Sequence, residues 1–133
     1  MIDINLTPDW KEQYKIRVRE TTEAQAKHLI VKSLVCLLIK IKYIKDQKYQ
    51  RVYSESVVSE GKICDIIHEN LKSKQVYYYE IQSKVTPQWL EYTKQCYINK
   101  QIPGMTCDWI LIDLNLLSND LDTLVKQVKE LIV

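Results

Sequence analysis

The chain reads as an α/β domain: a mixed central sheet sandwiched by helices, with core elements in the order α-β-β-β-α-β. Three observations carry this expectation. Ala24, Ala26, Leu29, Ile30, Leu34, Val35 and Leu38 recur at helical spacing. Three runs rich in β-branched residues and tyrosine follow, over 50–58, 62–67 and 76–83, with turn residues between them. A second helical segment then precedes the short apolar run Trp109-Ile110-Leu111-Ile112, so a buried strand returns to the sheet by a crossover.

Each element has local support. Thr7-Pro8-Asp9 starts a short leading helix that runs to about Val18, with proline in the first turn, where its missing N–H costs nothing. Thr21-Thr22-Glu23 opens the long helix, which ends between Ile39 and Ile44. Its tail, Ile39-Lys40-Ile41-Lys42-Tyr43, alternates and fits a strand equally well. Ser59-Glu60-Gly61 turns the chain after the first strand, and Asn70 to Lys74 breaks it after the second. Val76-Tyr77-Tyr78-Tyr79-Glu80-Ile81 favours a strand on both faces. Thr86-Pro87 caps a helix to about Asn99, with Leu90, Cys96 and Tyr97 on its apolar side, and Pro103-Gly104 closes that region. Ser118-Asn119-Asp120 caps a last helix that carries Leu121, Leu124, Val125, Val128 and Leu131 on one side.

The 133 residues suit a single domain over 1–133, with its core over about 22–116 and a C-terminal helix over about 119–133. Apolar residues at 46% and charged residues at 27% are a globular balance, and two glycines and three prolines leave no linker. The longest apolar run, Leu29 to Ile39, is interrupted by Lys32 and falls short of the ~20 residues a membrane span needs. Met1 leads straight into Asp3 and Asp9 without a basic-then-apolar signal segment, so a cytoplasmic protein with no membrane partner is expected, in the host cytoplasm if the chain is viral. Cys36, Cys64, Cys96 and Cys107 form no C-x-x-C pair or zinc spacing; they read as small buried residues, with disulfides open for a hyperthermophilic source. The net charge of +2 is unevenly spread: Lys11 to Arg51 holds eleven Lys or Arg against four acids. Such segregation makes a basic face for phosphates beside an acidic cleft, or equally a solvated, lysine-laced helix face.

The chemistry concentrates in Lys62-Ile63-Cys64-Asp65-Ile66 and Tyr79-Glu80-Ile81-Gln82-Ser83-Lys84. Asp65 and Glu80 meet if the two strands pair as a hairpin in the right register, and alternation puts Glu80, Gln82 and Lys84 on one face. Two adjacent carboxylates repel unless a cation neutralises them, and oxygen ligands suit Mg2+ or Mn2+. A metal so held lowers the pKa of a bound water and stabilises charge on a phosphodiester. Gln82 can orient the water, Lys84 can neutralise phosphate charge, and the Ile81 carbonyl is a further ligand. The plainer explanation is a structural ion pair, with Lys62 or Lys84 answering the burial cost of each acid. Two acids with the same need on neighbouring strands favour the shared ion. No G-x-x-x-x-G-K, G-x-G-x-x-G, G-x-S-x-G or H-E-x-x-H stretch supports a nucleotide-binding or familiar hydrolase reading.

Asp65 followed by Glu80-Ile81-Gln82, within an α-β-β-β-α-β order, resembles the PD-(D/E)XK nuclease superfamily over about Thr22 to Leu116. That group includes restriction endonucleases, archaeal Holliday-junction resolvases and small viral nucleases. The resemblance implies a restriction-endonuclease-like fold and Mg2+- or Mn2+-dependent endo- or exonuclease action on DNA. It assigns Asp65, Glu80, the Ile81 carbonyl and a helix glutamate to the metal, with Glu23 the best match and Glu20 second. Either glutamate also suits a first-turn acid facing the helix dipole. The pattern departs from the common one in ending on Gln82 where lysine is usual, which leaves water activation to Gln82 or Lys84. Cys64 also stands where proline often precedes the acid. A homodimer is expected, because cutting both strands calls for two sites, and the apolar side of Leu121 to Val133 is the candidate subunit surface. The alternative is a catalytically inactive nuclease-fold protein that binds DNA or another protein. His28 reads as a surface or satisfied core residue, and His68 with Glu69 as the loop closing the second strand.

Overall fold

The computed structural model describes residues 22–59 and 61–133. The leading helix expected from Thr7 to Val18, and Glu20, lie outside the described residues. Thr22 has extended backbone, and its Oγ1 accepts the Gln25 N–H at 3.2 Å, satisfying one donor that a helix start leaves open. The helix it caps, α1 (Glu23–Lys42), buries Val31, Val35 and Ile39 completely, stacked at four-residue spacing. Full burial of each such side chain is worth about 1.5–3 kcal/mol. That row decides the alternating tail in favour of helix. The helical period keeps Ile39 in the core and leaves Ile41 56% exposed, whereas a strand would send both to one face.

A 3-10 segment (Ile44–Tyr49) leads into β1 (Gln50–Ser59), β2 (Lys62–Asn70) and β3 (Gln75–Gln82). Helix α2 (Pro87–Ile98) crosses over, β4 (Thr106–Asp113) returns, and α3 (Leu121–Leu131) closes the chain. The sheet order is β1-β2-β3-β4, antiparallel at the first two junctions and parallel between β3 and β4. The protein is therefore mixed α/β, a four-stranded mixed sheet flanked by helices. Among the described residues, no helix is long and apolar enough to cross a membrane.

β2 extends beyond 62–67 because its buried alternation continues through His68 and Asn70. His68 is a strand core residue, not a loop residue. It is fully buried, with Nε2 2.6 Å from Gln50 Oε1 and the rings of Tyr43 and Tyr77 at 5.1 and 5.8 Å. Burial, aided by the charge of Lys42, pushes its pKa down to about 4. Asn70 Oδ1 then accepts the N–H groups of Lys72 and Ser73, both at 3.1 Å, which turns the chain into β3.

Every residue from Val76 to Ile81 is buried, as a strand covered on both faces must be. Tyr77, Tyr79 and Ile81 pack with Ile66, Ile112, α1 and α3. Val76 and Tyr78 face the other way, toward α2, where Tyr97 stacks between Tyr78 and Trp109 at 4.9 and 5.8 Å. The apolar side of α3, expected as a subunit surface, is packed into the chain's own core through Leu124 and Val128, and Leu121 is left 60% exposed. All four cysteines are free.

Candidate functional site

β2 and β3 pair from Asn70↔Gln75 to Ile66↔Tyr79. One further step would set Asp65 opposite Glu80, but there the ladder gives way. Asp65 Oδ2 accepts the Ile81 N–H at 2.7 Å, a side-chain oxygen standing in for a strand carbonyl. β1 is interrupted at the same level: Ser54↔Ile66 and Ser56↔Cys64 pair, while Glu55 between them has φ of 55°. A left-handed glutamate costs about 1–2 kcal/mol, and its effect is visible on both strands. Val52 and Ile66 belong to the α1/α3 face, whereas Val58 and Cys64 belong to the α2 face. Strict alternation would keep each of those even-spaced pairs on one face. The two strands rotate together at Glu55 and Asp65.

The rotation gives the two acids different partners. Asp65 turns toward α1, with Oδ1 3.2 Å from His28 Nε2. That hydrogen bond and the charge of Asp65 hold the His28 pKa above its ordinary value, against the opposing pull of burial. Glu80 follows the regular alternation of β3 and turns toward α2, where the Tyr97 hydroxyl donates to it and Lys62 Nζ lies 3.4 Å away. Lys62 also donates to Thr93 Oγ1 at 3.2 Å and sits 5.1 Å from the centre of the Trp89 ring. Burial pushes the Glu80 carboxyl above the usual range; Tyr97 and Lys62 oppose it, and the charge of Asp65 pushes it further up. The two carboxylates are held by different helices across this fork, Asp65 on the α1 side and Glu80 on the α2 side.

An open cleft of about 440 Å³ adjoins the His28–Asp65 contact, with Gln25, His28, Lys32, Glu55 and Ser83 in its wall. Lys32 Nζ meets Glu55 Oε1 there at 2.5 Å. The other expected site residues lie around this centre to different degrees. Gln82 is half-buried at the end of β3, its amide donating to the Lys84 carbonyl at 3.0 Å, and Lys84 is exposed just beyond the strand. Ile81 meets Asp65 through its own N–H, with its side chain in the core. Glu23 is exposed in the first turn of α1 with Oε1 3.5 Å from Asn119 Nδ2, so it faces the start of α3. His28, not Glu23, is the α1 residue that touches Asp65.

Sequence reasoning passed over His28, Lys32 and Glu55. A signal existed for the first two: Lys32 interrupts an apolar helical run, and His28 stands four residues before it on the same stripe. Glu55 had none, because it sits in ordinary strand sequence. Cys64 lies in the fork, but burial pushes its thiol up to about 12, which removes it as a nucleophile. Among the described residues, no three His, Cys, Asp or Glu side chains converge as a ligand set. Asp65 turns to the α1 face of the sheet and Glu80 to the α2 face, so the two carboxylates expected on one face do not converge here. Compared with known proteins, the chain matches no family model, no curated protein and no solved structure.

Proposed function

We propose that this chain is a metal-dependent deoxyribonuclease on the restriction-endonuclease-like plan, hydrolysing phosphodiester bonds of DNA with Mg2+ or Mn2+. One observation carries the reading. Asp65 and Glu80 sit one register step past the last β2–β3 pair, where the ladder opens. The α-β-β-β-α-β order with a parallel β3–β4 junction supports the same plan.

Two carboxylates and the Ile81 carbonyl are oxygen donors of the kind a hard divalent ion takes, and sharing one ion would require Glu80 to leave Lys62 and Tyr97 and turn toward Asp65. Once bound, the ion supplies an acidified water and neutralises charge on the phosphodiester. His28 orients the Asp65 carboxylate, as a second partner does for a metal ligand. Lys62 and Tyr97 hold Glu80 toward its ionised form against burial. In this reading Gln82 and Lys84, at the end of β3, contact water or phosphate, and Glu23 has no assigned part. A homodimer would bring two such sites to the two strands of a duplex.

The test is incubation with plasmid, branched and single-stranded DNA plus Mg2+ or Mn2+. Cleavage by wild type, lost in Asp65→Ala and Glu80→Gln while both stay folded by circular dichroism, is the expected result. Equal cutting by wild type and Asp65→Ala overturns the reading.

One observation favours a second reading. Glu80 already holds a lysine and a hydroxyl donor, so the fork can serve as the closed centre of a nuclease-fold protein that binds DNA without cutting it. That reading predicts salt-sensitive DNA binding and no cleavage with either metal.

A further inference from the structure

The cleft wall contains an ion pair that neither the motif nor the core requires. Lys32 breaks the longest apolar run of the chain, and its side chain is only 17% exposed, so its stem is packed while its ammonium reaches the cleft. Its partner differs in every respect. The Glu55 side chain is 60% exposed, and it is delivered by a left-handed backbone that a strand does not otherwise need. The fixed member of the pair is the cation and the water-facing member is the carboxylate. A carboxylate and a phosphodiester each present a single negative charge over two oxygens to an ammonium. Ser83 and Gln25, which carry hydrogen-bond donors, line the same cleft, and the His28–Asp65 contact adjoins it.

We propose that Lys32 is a phosphate subsite and Glu55 its displaceable latch: a DNA phosphate takes the Lys32 ammonium, and Glu55 turns out to solvent. The identity of the phosphate as that of DNA rests on the proposed function; the exchange itself does not depend on cleavage. Glu55 thus acts as a built-in competitor that weakens binding where no backbone phosphate reaches the cleft.

The experiment measures binding of a short labelled DNA duplex by fluorescence anisotropy, in EDTA, across a series of salt concentrations. Glu55→Gln should bind about two- to fivefold tighter than wild type, because an exposed partner holds the ammonium by at most about 1 kcal/mol. Lys32→Gln should bind about tenfold weaker, with a salt slope shallower by about 0.9, because one phosphate is no longer neutralised. The double variant should bind no tighter than Lys32→Gln alone, and Lys32→Arg should keep the wild-type slope, which separates a missing charge from a damaged fold. Equal tightening by Glu55→Gln in both backgrounds is plain removal of a negative charge and overturns the latch, as does no tightening, or no binding by any variant at low salt. Inorganic phosphate that competes more strongly than chloride at equal ionic strength reassigns the subsite to the free anion and overturns the DNA assignment. Cleavage assays run in parallel keep the two readings apart. Metal-dependent cutting without this epistasis leaves the nuclease and removes the latch; epistasis without cutting does the reverse.

Discussion

The Lys62–Glu80 and Lys32–Glu55 pairs lie on opposite faces of the sheet and differ chiefly in how much water reaches them. The first has side chains 9% and 5% exposed, and it is completed by Thr93 and Tyr97 with Trp89 alongside. The second has side chains 17% and 60% exposed and borders an open cleft. The same two functional groups therefore do different work. In the sealed pair each ion is the main reason the other can be buried, so removing one charge alone is costly. In the open pair water competes for both partners, the net attraction is small, and exchange for another anion is easy.

Substitutions that break this contrast should rank by burial. Lys62→Met leaves Glu80 buried without its cation, and a loss of about 3–5 kcal/mol in urea unfolding is expected. Adding Glu80→Gln to that variant should recover part of the loss, because the orphaned charge is then gone; no recovery would mean that packing, not charge, dominates there.

His68 sharpens the comparison, as a buried base kept neutral instead of paired. Its pKa is about 4 in the fold against an ordinary 6.5, so the unfolded chain takes the proton first as pH falls. The stability it contributes is complete above pH 6.5 and declines by roughly 3 kcal/mol as pH falls to about 4. Urea titrations at pH 7, 5.5 and 4 measure this slope, and His68→Gln should flatten it.

Glu55 tests whether the open pair carries strain. Glu55→Ala keeps the left-handed φ, whereas Glu55→Gly relieves it, so the glycine variant should be more stable than the alanine variant by about 1 kcal/mol. The smallest effect is expected for Lys32→Gln, below about 1 kcal/mol in stability and reduced further by salt. A loss as large as that of Lys62→Met would show that the sealed and open pairs are one kind of device after all.

Much of this architecture was legible in the order of residues. The caps Thr22, Thr86 and Asp120 start their helices, each accepting a backbone N–H near its own position. Those bonds span three residues, so they are written in local sequence. The three-strand meander, the crossover and the return strand were likewise visible, although that strand lies at the sheet edge with only Ile112 buried, and the alternation Ile39 to Tyr43 was ambiguous for a sound reason, since both periods fit five residues. The candidate site was half legible. Asp65 and Glu80 stood out as acids in apolar strands, and Lys62 was one of two lysines near enough in sequence to answer them. Lys62 does answer Glu80, as the ion-pair expectation allowed, but that Asp65 would find His28 on α1 was not visible.

Local chemistry thus fixed which segments become helix or strand and which acids need company, because caps and periodicity act within a few residues. It was the packed fold that chose the company. The joint rotation of β1 and β2 at Glu55 and Asp65 moves side chains between faces, and counting by twos fails beyond such a point. Partners drawn from α1 and α2 depend on how helices sit on a twisted sheet, and that geometry exists only after the whole core has closed.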